Sequence, residues 1–468
     1  MNNTWDFSFN SFDSVWKVIV QITLLLVFLV LGNILRRSIP FLKKSFIPSA
    51  LIGGILLALV GLFIKWVSPN NFELIDKRIM KVITYHALAV GFIATTLKVA
   101  NKDKKKGLGV LSIQNGLLTG ATYMLQAVFG ILTVLIFLWV GKEVFHATGI
   151  ILPLAFGQGP GNALTWDLKF GIANGSFGLA LASIGFIVAS LVGVIYLNIY
   201  RIKGEISRSE GILAARKVEE FVEDHEIEDS DSIDKMSVQV GIVAICYAIA
   251  FGIMCALHFI GAKVGKNGNN MLGDIAWGFN FIFGVIAATL VKALLVLLLK
   301  KKVIKHKYIN NYQMDRISGL AFDLMIIAGV AAIEISEIKA YIWILVALTI
   351  VGTVVTFVFV RFITKRCFNG LHHHMFLVNF GTLTGTASNG MILLREVDSS
   401  FETQSSNIFI VSQLPAMVAV APLLLLTPFA GKSLTNTYIA LGIFFALAVI
   451  YTTVILLLQK KVVEKQFK

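Results

Sequence analysis

Two short stretches carry residue types that could do chemistry. Residues 156–163 read Phe-Gly-Gln-Gly-Pro-Gly-Asn-Ala, and residues 380–387 read Phe-Gly-Thr-Leu-Thr-Gly-Thr-Ala, followed at once by Ser388 and Asn389. Proline inside a helix costs ~3 kcal/mol and glycine ~1 kcal/mol relative to alanine. Gly157 to Gly161 therefore argue for a chain that folds back rather than for a continuous helix. Backbone amides and carbonyls left unpaired at such a turn are tolerable in a membrane only inside protein or beside a wet cavity. Helix arms leaving Gly161 and Gly385 would aim N–H groups and partial positive charge at one place, which suits a carboxylate. On this reading Gln158, Gly159, Gly161, Asn162, Thr384, Gly385 and Thr386 bind a small anionic substrate. The oxygens of Thr382, Ser388 and Asn389 take Na⁺ as the coupling ion. The competing explanation of the same glycines is tight helix packing of the GxxxG kind.

Other residues extend or limit that chemistry. Asp323 lies five residues into an apolar segment, and a carboxylate there is expensive enough to be assigned to ion binding, against a structural partner for a nearby polar group. Arg395 stands ten residues past Gly385, ~15 Å along a helix; it either pairs with a substrate carboxylate or serves as an anchor or gate at the cytoplasmic mouth. His86 is a substrate or proton contact, or a packing histidine. Ser112, Asn115, Thr119, Thr122 and Gln126 recur at spacings of three and four on one helix face, which either lines a path or bonds to a neighbouring helix. Lys292 is expected to snorkel. His372 to His374 resemble a metal tract, but no carboxylate stands near them in sequence, so no metal site is expected. Cys246, Cys255 and Cys367 give neither a disulfide framework nor a zinc spacing. The one Gly-Lys-Ser, at 431–433, has Leu426 where a P-loop needs its first glycine. With no His-Glu-x-x-His either, ATP-driven pumping and intramembrane enzymology are both disfavoured.

The elements that must position these residues follow from composition. Of 468 residues, 56% are hydrophobic and 15% charged, with a mean hydropathy of +0.79, which marks an integral membrane protein. Eleven apolar segments are long enough to span ~30 Å: about 15–35, 45–67, 79–99, 108–140, 172–199, 237–261, 274–299, 318–336, 338–364, 406–429 and 434–458. With the N-terminus outside and the C-terminus cytoplasmic, the inner stretches hold 28 Lys/Arg and the outer ones 8. The formal charge of +14 is thus a topology signal of a multi-pass cell-membrane protein in contact with lipid, and no nucleic-acid partner is inferred. The count works only if 148–168 and 371–397 are re-entrant, entering from opposite faces.

The two glycine-rich stretches are 224 residues apart and share four of eight residues. The same offset carries several flanking segments onto one another, which indicates an internal repeat. Five crossings per half is an odd number, so the halves are inverted. The expected fold is all-α: two inverted-topology repeats of five transmembrane helices plus one re-entrant hairpin each, with an extra C-terminal helix. The expected division is a first repeat at 1–199, a charged cytoplasmic linker at 200–236, a second repeat at 237–429, and an additional helix with its tail at 430–468. The linker carries eleven acidic residues, with a short amphipathic helix expected at 209–222.

Three stretches resemble the bacterial sodium/glutamate symporters, in particular their long, clostridial-type branch: TYHALAVGFIATTL at 84–97, LPLAFGQGPGNALTW at 152–166 and NFGTLTGTASNGMILLREVD at 379–398. Proteobacterial members have Gly-Gly-His-Gly-Thr-Gly where this chain has Gln158-Gly159-Pro160-Gly161. The resemblance implies a homodimer that carries substrate between hairpin tips by an elevator-like movement. The expected function is Na⁺-coupled symport of glutamate or a related small carboxylate. The alternative is a channel built on two re-entrant pore loops.

Overall fold

Where no water is available, a helix is the structure that satisfies every backbone group within one segment. The computed structural model describes residues 16–68, 72–98, 109–206, 234–264, 270–304, 306–398 and 403–466, and contains no strand among them. The first half runs α1 (Lys17–Ser38), α2 (Pro40–Ser45), α3 (Ser49–Val67), α4 (Lys77–Leu97), α5 (Gly109–Trp139), α6 (Ile151–Gln158), α7 (Pro160–Phe170) and α8 (Ser176–Ile202). The second runs α9 (Lys235–Val264), α10 (Met271–Gly278), α11 (Asn280–Lys300), α12 (Asn311–Ala331), α13 (Ile335–Ile338), α14 (Ile342–Cys367), α15 (His372–Thr384), α16 (Ala387–Arg395) and α17 (Gln404–Ala430). A last helix, α18 (Leu434–Gln466), follows. The helix expected at 209–222 lies outside the described residues.

Among the described residues, ten helices are long and apolar enough to cross a membrane. The chain is an all-α protein of the membrane-spanning kind. The segment expected at 318–336 differs from the other expected crossings. Its helix, α12, begins at Asn311 because the Asn310 side chain accepts the Gln313 N–H at 2.9 Å, an N-cap that hydropathy does not register. With Asp315, Arg316 and Asp323 along it, α12 is not one of the ten.

Packing sorts the helices into two groups that cut across the two halves of the chain. In the first group α1 packs on α3 and α9 on α11, α3 on α12 and α11 on α4, α1 on α12 and α9 on α4. Every contact thus has a counterpart with the halves exchanged, and α4 against α12 forms the centre. A separate buried cluster that includes Ile93, Leu97, Cys246 and Met314 belongs to this group. In the second group α5 packs along α14, α17 and α18, while α8 touches all four arms α6, α7, α15 and α16. The groups meet chiefly where α7 lies on α4 and α12, and where α8 lies on α12 and α13.

Candidate functional site between the two hairpin tips

Both glycine-rich stretches break their helices. In the first, α6 stops at Gln158 and α7 starts at Pro160, so Gly159 alone makes the turn. Its φ of 85° and ψ of −175° are open to glycine and strained for any L side chain. Pro160 follows at the first helical position, where a missing N–H costs nothing. In the second stretch α15 ends at Thr384 and α16 starts at Ala387, with Gly385 and an extended Thr386 between them. The arms of this hairpin are in backbone contact: a Cβ on Gly381 would lie 2.8 Å from Gly390 Cα.

The two tips touch each other and α12. A Cβ built on Gly159 would lie 3.4 Å from Met325 Cε and 3.8 Å from Thr386 Cγ2. Pro160 packs on α12 as well, since a Cβ on Gly329 would be 3.1 Å from its own Cβ. The site therefore sits where the second helix group meets the first.

Neither α7 nor α16 has a side-chain cap, so amide N–H groups in the first turn of both helices are unused by their own helix. Within each tip the polar side chains bond to one another. Asn162 donates to Gln158 Oε1, and Thr386 Oγ1 donates to Asn389 Oδ1 at 3.1 Å. One atom of each asparagine is left over: Asn162 Oδ1 and Asn389 Nδ2 are buried without a hydrogen-bond partner among the described residues. An orphaned buried polar atom costs about 1–3 kcal/mol. Here an orphaned acceptor on one tip and an orphaned donor on the other stand beside uncapped helix ends.

The remaining expected residues fall in different places. Gly161 is already inside α7, and a Cβ there would meet Leu88 Cβ of α4 at 2.8 Å; its constraint is packing and not the turn. Gly385 closes α15 with φ −142°, so the arm leaves from Thr386. Thr382 and Thr384 donate to Val378 O and Phe380 O, both at 2.7 Å, which leaves oxygen lone pairs for a cation. Ser388 lies in the first turn of α16, and its side chain lies outside the described ones. Arg395 ends α16 and is exposed, nine residues from Thr386, or roughly 13 Å away along the helix. Asp323 is half-buried on α12, and no hydrogen bond or ion pair reaches it among the described residues. Two residues from Met325, it projects about 200° round the helix from the side chain that reaches the tip.

Of the polar stripe of α5, Thr119 and Thr122 donate within the helix to Asn115 O and Leu118 O, Ser112 Oγ is buried without a partner among the described residues, and Asn115 and Gln126 bond to neighbouring helices. Asn115 Nδ2 donates to Ser412 Oγ at 2.7 Å, and Asn379 Nδ2 donates to Asn115 Oδ1 at 2.7 Å. Gln126 Nε2 donates to Thr356 Oγ1 at 2.8 Å and to Leu383 O at 2.9 Å, satisfying a carbonyl at the very end of α15. His86 packs against Tyr247, with its Nδ1 bonded to that hydroxyl. Lys292 Nζ donates to Lys98 O at 3.0 Å, just past the end of α4.

Two features of α8 and its approach escape a sequence reading. Gly178, Gly185 and Gly193 stand seven and eight apart on one face. A Cβ would strike Ala163 O at 2.4 Å, Thr384 O at 2.5 Å and Leu393 Cδ1 at 2.6 Å, so this stripe seats arms of both hairpins. The signal was available as small residues at helical spacing. The buried Asp167 accepts the N–H groups of Ala173, Gly175 and Gly178 at 2.9, 3.1 and 2.7 Å, and so fixes the turn from α7 into α8. Compared with protein-family models and with curated proteins, the chain matches none.

Proposed function

We propose that the protein is a secondary active transporter, a Na⁺-coupled symporter of glutamate or a related small carboxylate in the cytoplasmic membrane, working by an elevator-like alternating access. The observation that carries this reading is the meeting of two broken helical hairpins, Gly159 against Thr386, with uncapped helix ends on both. Broken helices with converging N-termini are how carriers hold anionic substrates near the membrane midplane. The amides opening α7 and α16 and Asn389 Nδ2 bind the substrate carboxylate, while Asn162 Oδ1 accepts from its ammonium group. Oxygens of Thr382, Ser388 and Asn389 serve Na⁺.

The exchange-symmetric contacts of α1, α3, α4 with α9, α11, α12 support the inverted repeat, and with it a re-entrant role for each hairpin. The second helix group then moves as one body past the first, sliding on the Pro160–Gly329 and Gly161–Leu88 contacts. The N-terminus lies outside, the C-terminus lies in the cytoplasm, and the protein works as a homodimer. The test is counterflow uptake in proteoliposomes against a panel of amino and dicarboxylic acids, with Na⁺, K⁺ and proton gradients imposed separately. Saturable uptake of glutamate driven by Na⁺, exceeding that of glutarate, is the expected result. An unsaturable ion conductance without substrate coupling would replace the carrier with a channel.

A further inference from the structure

The histidines at 372–374 gain in three dimensions the carboxylate they lack in sequence. Glu205, just past the end of α8, lies 168 positions from His373, yet its Oε2 stands 3.2 Å from His373 Nε2. Glu205, His372 and His373 each offer one ligand atom, and the three atoms lie within 4.8 Å of one another. They open onto a cavity of about 340 Å³ that Gly370, Val397 and His374 also line, His374 standing outside the group of three ligand atoms. Tetrahedral ligand atoms about 2.1 Å from a metal are roughly 3.4 Å apart. The His373–Glu205 pair already has that spacing. His372 is half-buried beside them, with its ligand atom within 4.8 Å of the other two. On the far side of the ring, His373 Nδ1 is bonded to Tyr196 OH at 2.9 Å. That bond leaves Nε2 as the nitrogen turned to Glu205 and supplies the outer partner that metal-binding histidines ordinarily have.

We infer that Glu205, His372 and His373 form a binding site for a divalent transition-metal ion of the Zn²⁺ class, which ties the end of α8 to the start of α15. Two imidazoles and one carboxylate suit Zn²⁺, Ni²⁺ or Cu²⁺ and not Mg²⁺ or Ca²⁺, which take sets of oxygen ligands. Charge points the same way. The site offers one negative charge, and the Arg361 guanidinium is close by, stacked 5.0 Å from the Tyr200 ring and 5.6 Å from that of Tyr196. Binding there has to come from nitrogen donors more than from charge. Three protein ligands leave a coordination position open to water or a small solute. Because α15 is an arm of the second hairpin and Glu205 opens the segment joining the two halves, a bound metal would clamp that arm to α8. This site stands independently of the transport reading.

The test uses the full-length protein in detergent with any polyhistidine tag removed. Zn²⁺ binding is followed by competition with a chromogenic chelator and by thermal melting, since an ion that binds only the folded state raises its melting temperature. The expected result is one Zn²⁺ per protomer that raises the melting temperature and is reversed by chelator, with no effect of Mg²⁺. Glu205→Gln and His372→Ala should each weaken that binding at least tenfold, while the neighbouring His374→Ala leaves it unchanged. A wild-type protein that binds no Zn²⁺, variants at 205 and 372 that bind it normally, or an equal loss in His374→Ala would each overturn the assignment.

Discussion

At the scale of single residues, the two glycines of the first tip do different work. Gly159 holds φ 85°, where an L side chain costs about 1–3 kcal/mol, yet a Cβ there meets nothing closer than 3.4 Å. Gly159→Ala should therefore fold and insert normally but lose roughly tenfold in substrate affinity, at 1.4 kcal/mol per factor of ten, read by calorimetry with Na⁺ present. Gly161→Val should also lose binding, through the Leu88 side chain of α4 and not through the turn. The double variant Gly161→Val with Leu88→Ala recovers binding if packing is the cause; no recovery returns Gly161 to the substrate contacts. Asp323 poses the reverse problem, since its chemistry stands out but its helix face is turned from Met325. If it serves the coupling ion, Asp323→Asn raises the Na⁺ concentration needed for half-maximal uptake and leaves substrate affinity at saturating Na⁺ unchanged. Unaltered Na⁺ dependence removes it from the ion site.

At the scale of elements, α8 and its approach carry the hairpins. Asp167→Ala would leave the amides of Ala173, Gly175 and Gly178 without their acceptor. With each orphaned buried group costing about 1–3 kcal/mol, the variant should show a clearly lowered melting temperature, whereas Asp167→Asn, which keeps one acceptor oxygen, falls between. Equal stability of Asp167→Ala and wild type would mean that the turn is held by other contacts. Both chain breaks were legible in the sequence because glycine and proline act locally, on the residues beside them. Much of what gives the breaks meaning was not. The start of α12 depends on an Asn310 cap inside a polar stretch, and hydropathy placed the segment seven residues late. The polar stripe of α5 was readable as a stripe, but its partners Thr356, Asn379, Leu383 and Ser412 lie more than 200 positions away. Glu205 beside His373 is the same case: spacing shows which residues share a face, and only packing shows which face meets which.

At the scale of the whole molecule, alternating access between inverted halves requires the hairpins to enter from opposite sides of the membrane, and the arms are long enough for this. The eleven helical residues Thr148–Gln158 reach about 17 Å and the thirteen of α15 about 20 Å. Each reaches at least the middle of a ~30 Å hydrocarbon core, so the tips of arms from opposite faces can meet. The loops that feed these arms correspond in the two halves and carry the exposed residues Glu143 and Asn369. In a background with Cys246, Cys255 and Cys367 replaced, Glu143→Cys should react with a membrane-impermeant maleimide on intact cells, and Asn369→Cys only after permeabilisation. The excess of 28 Lys/Arg over 8 sets the expected sign. Reversed labelling would keep the inverted repeat and turn the protein over in the membrane. Labelling of both positions from one side would put both hairpins on one face, ending the inverted-repeat reading and the alternating access built on it.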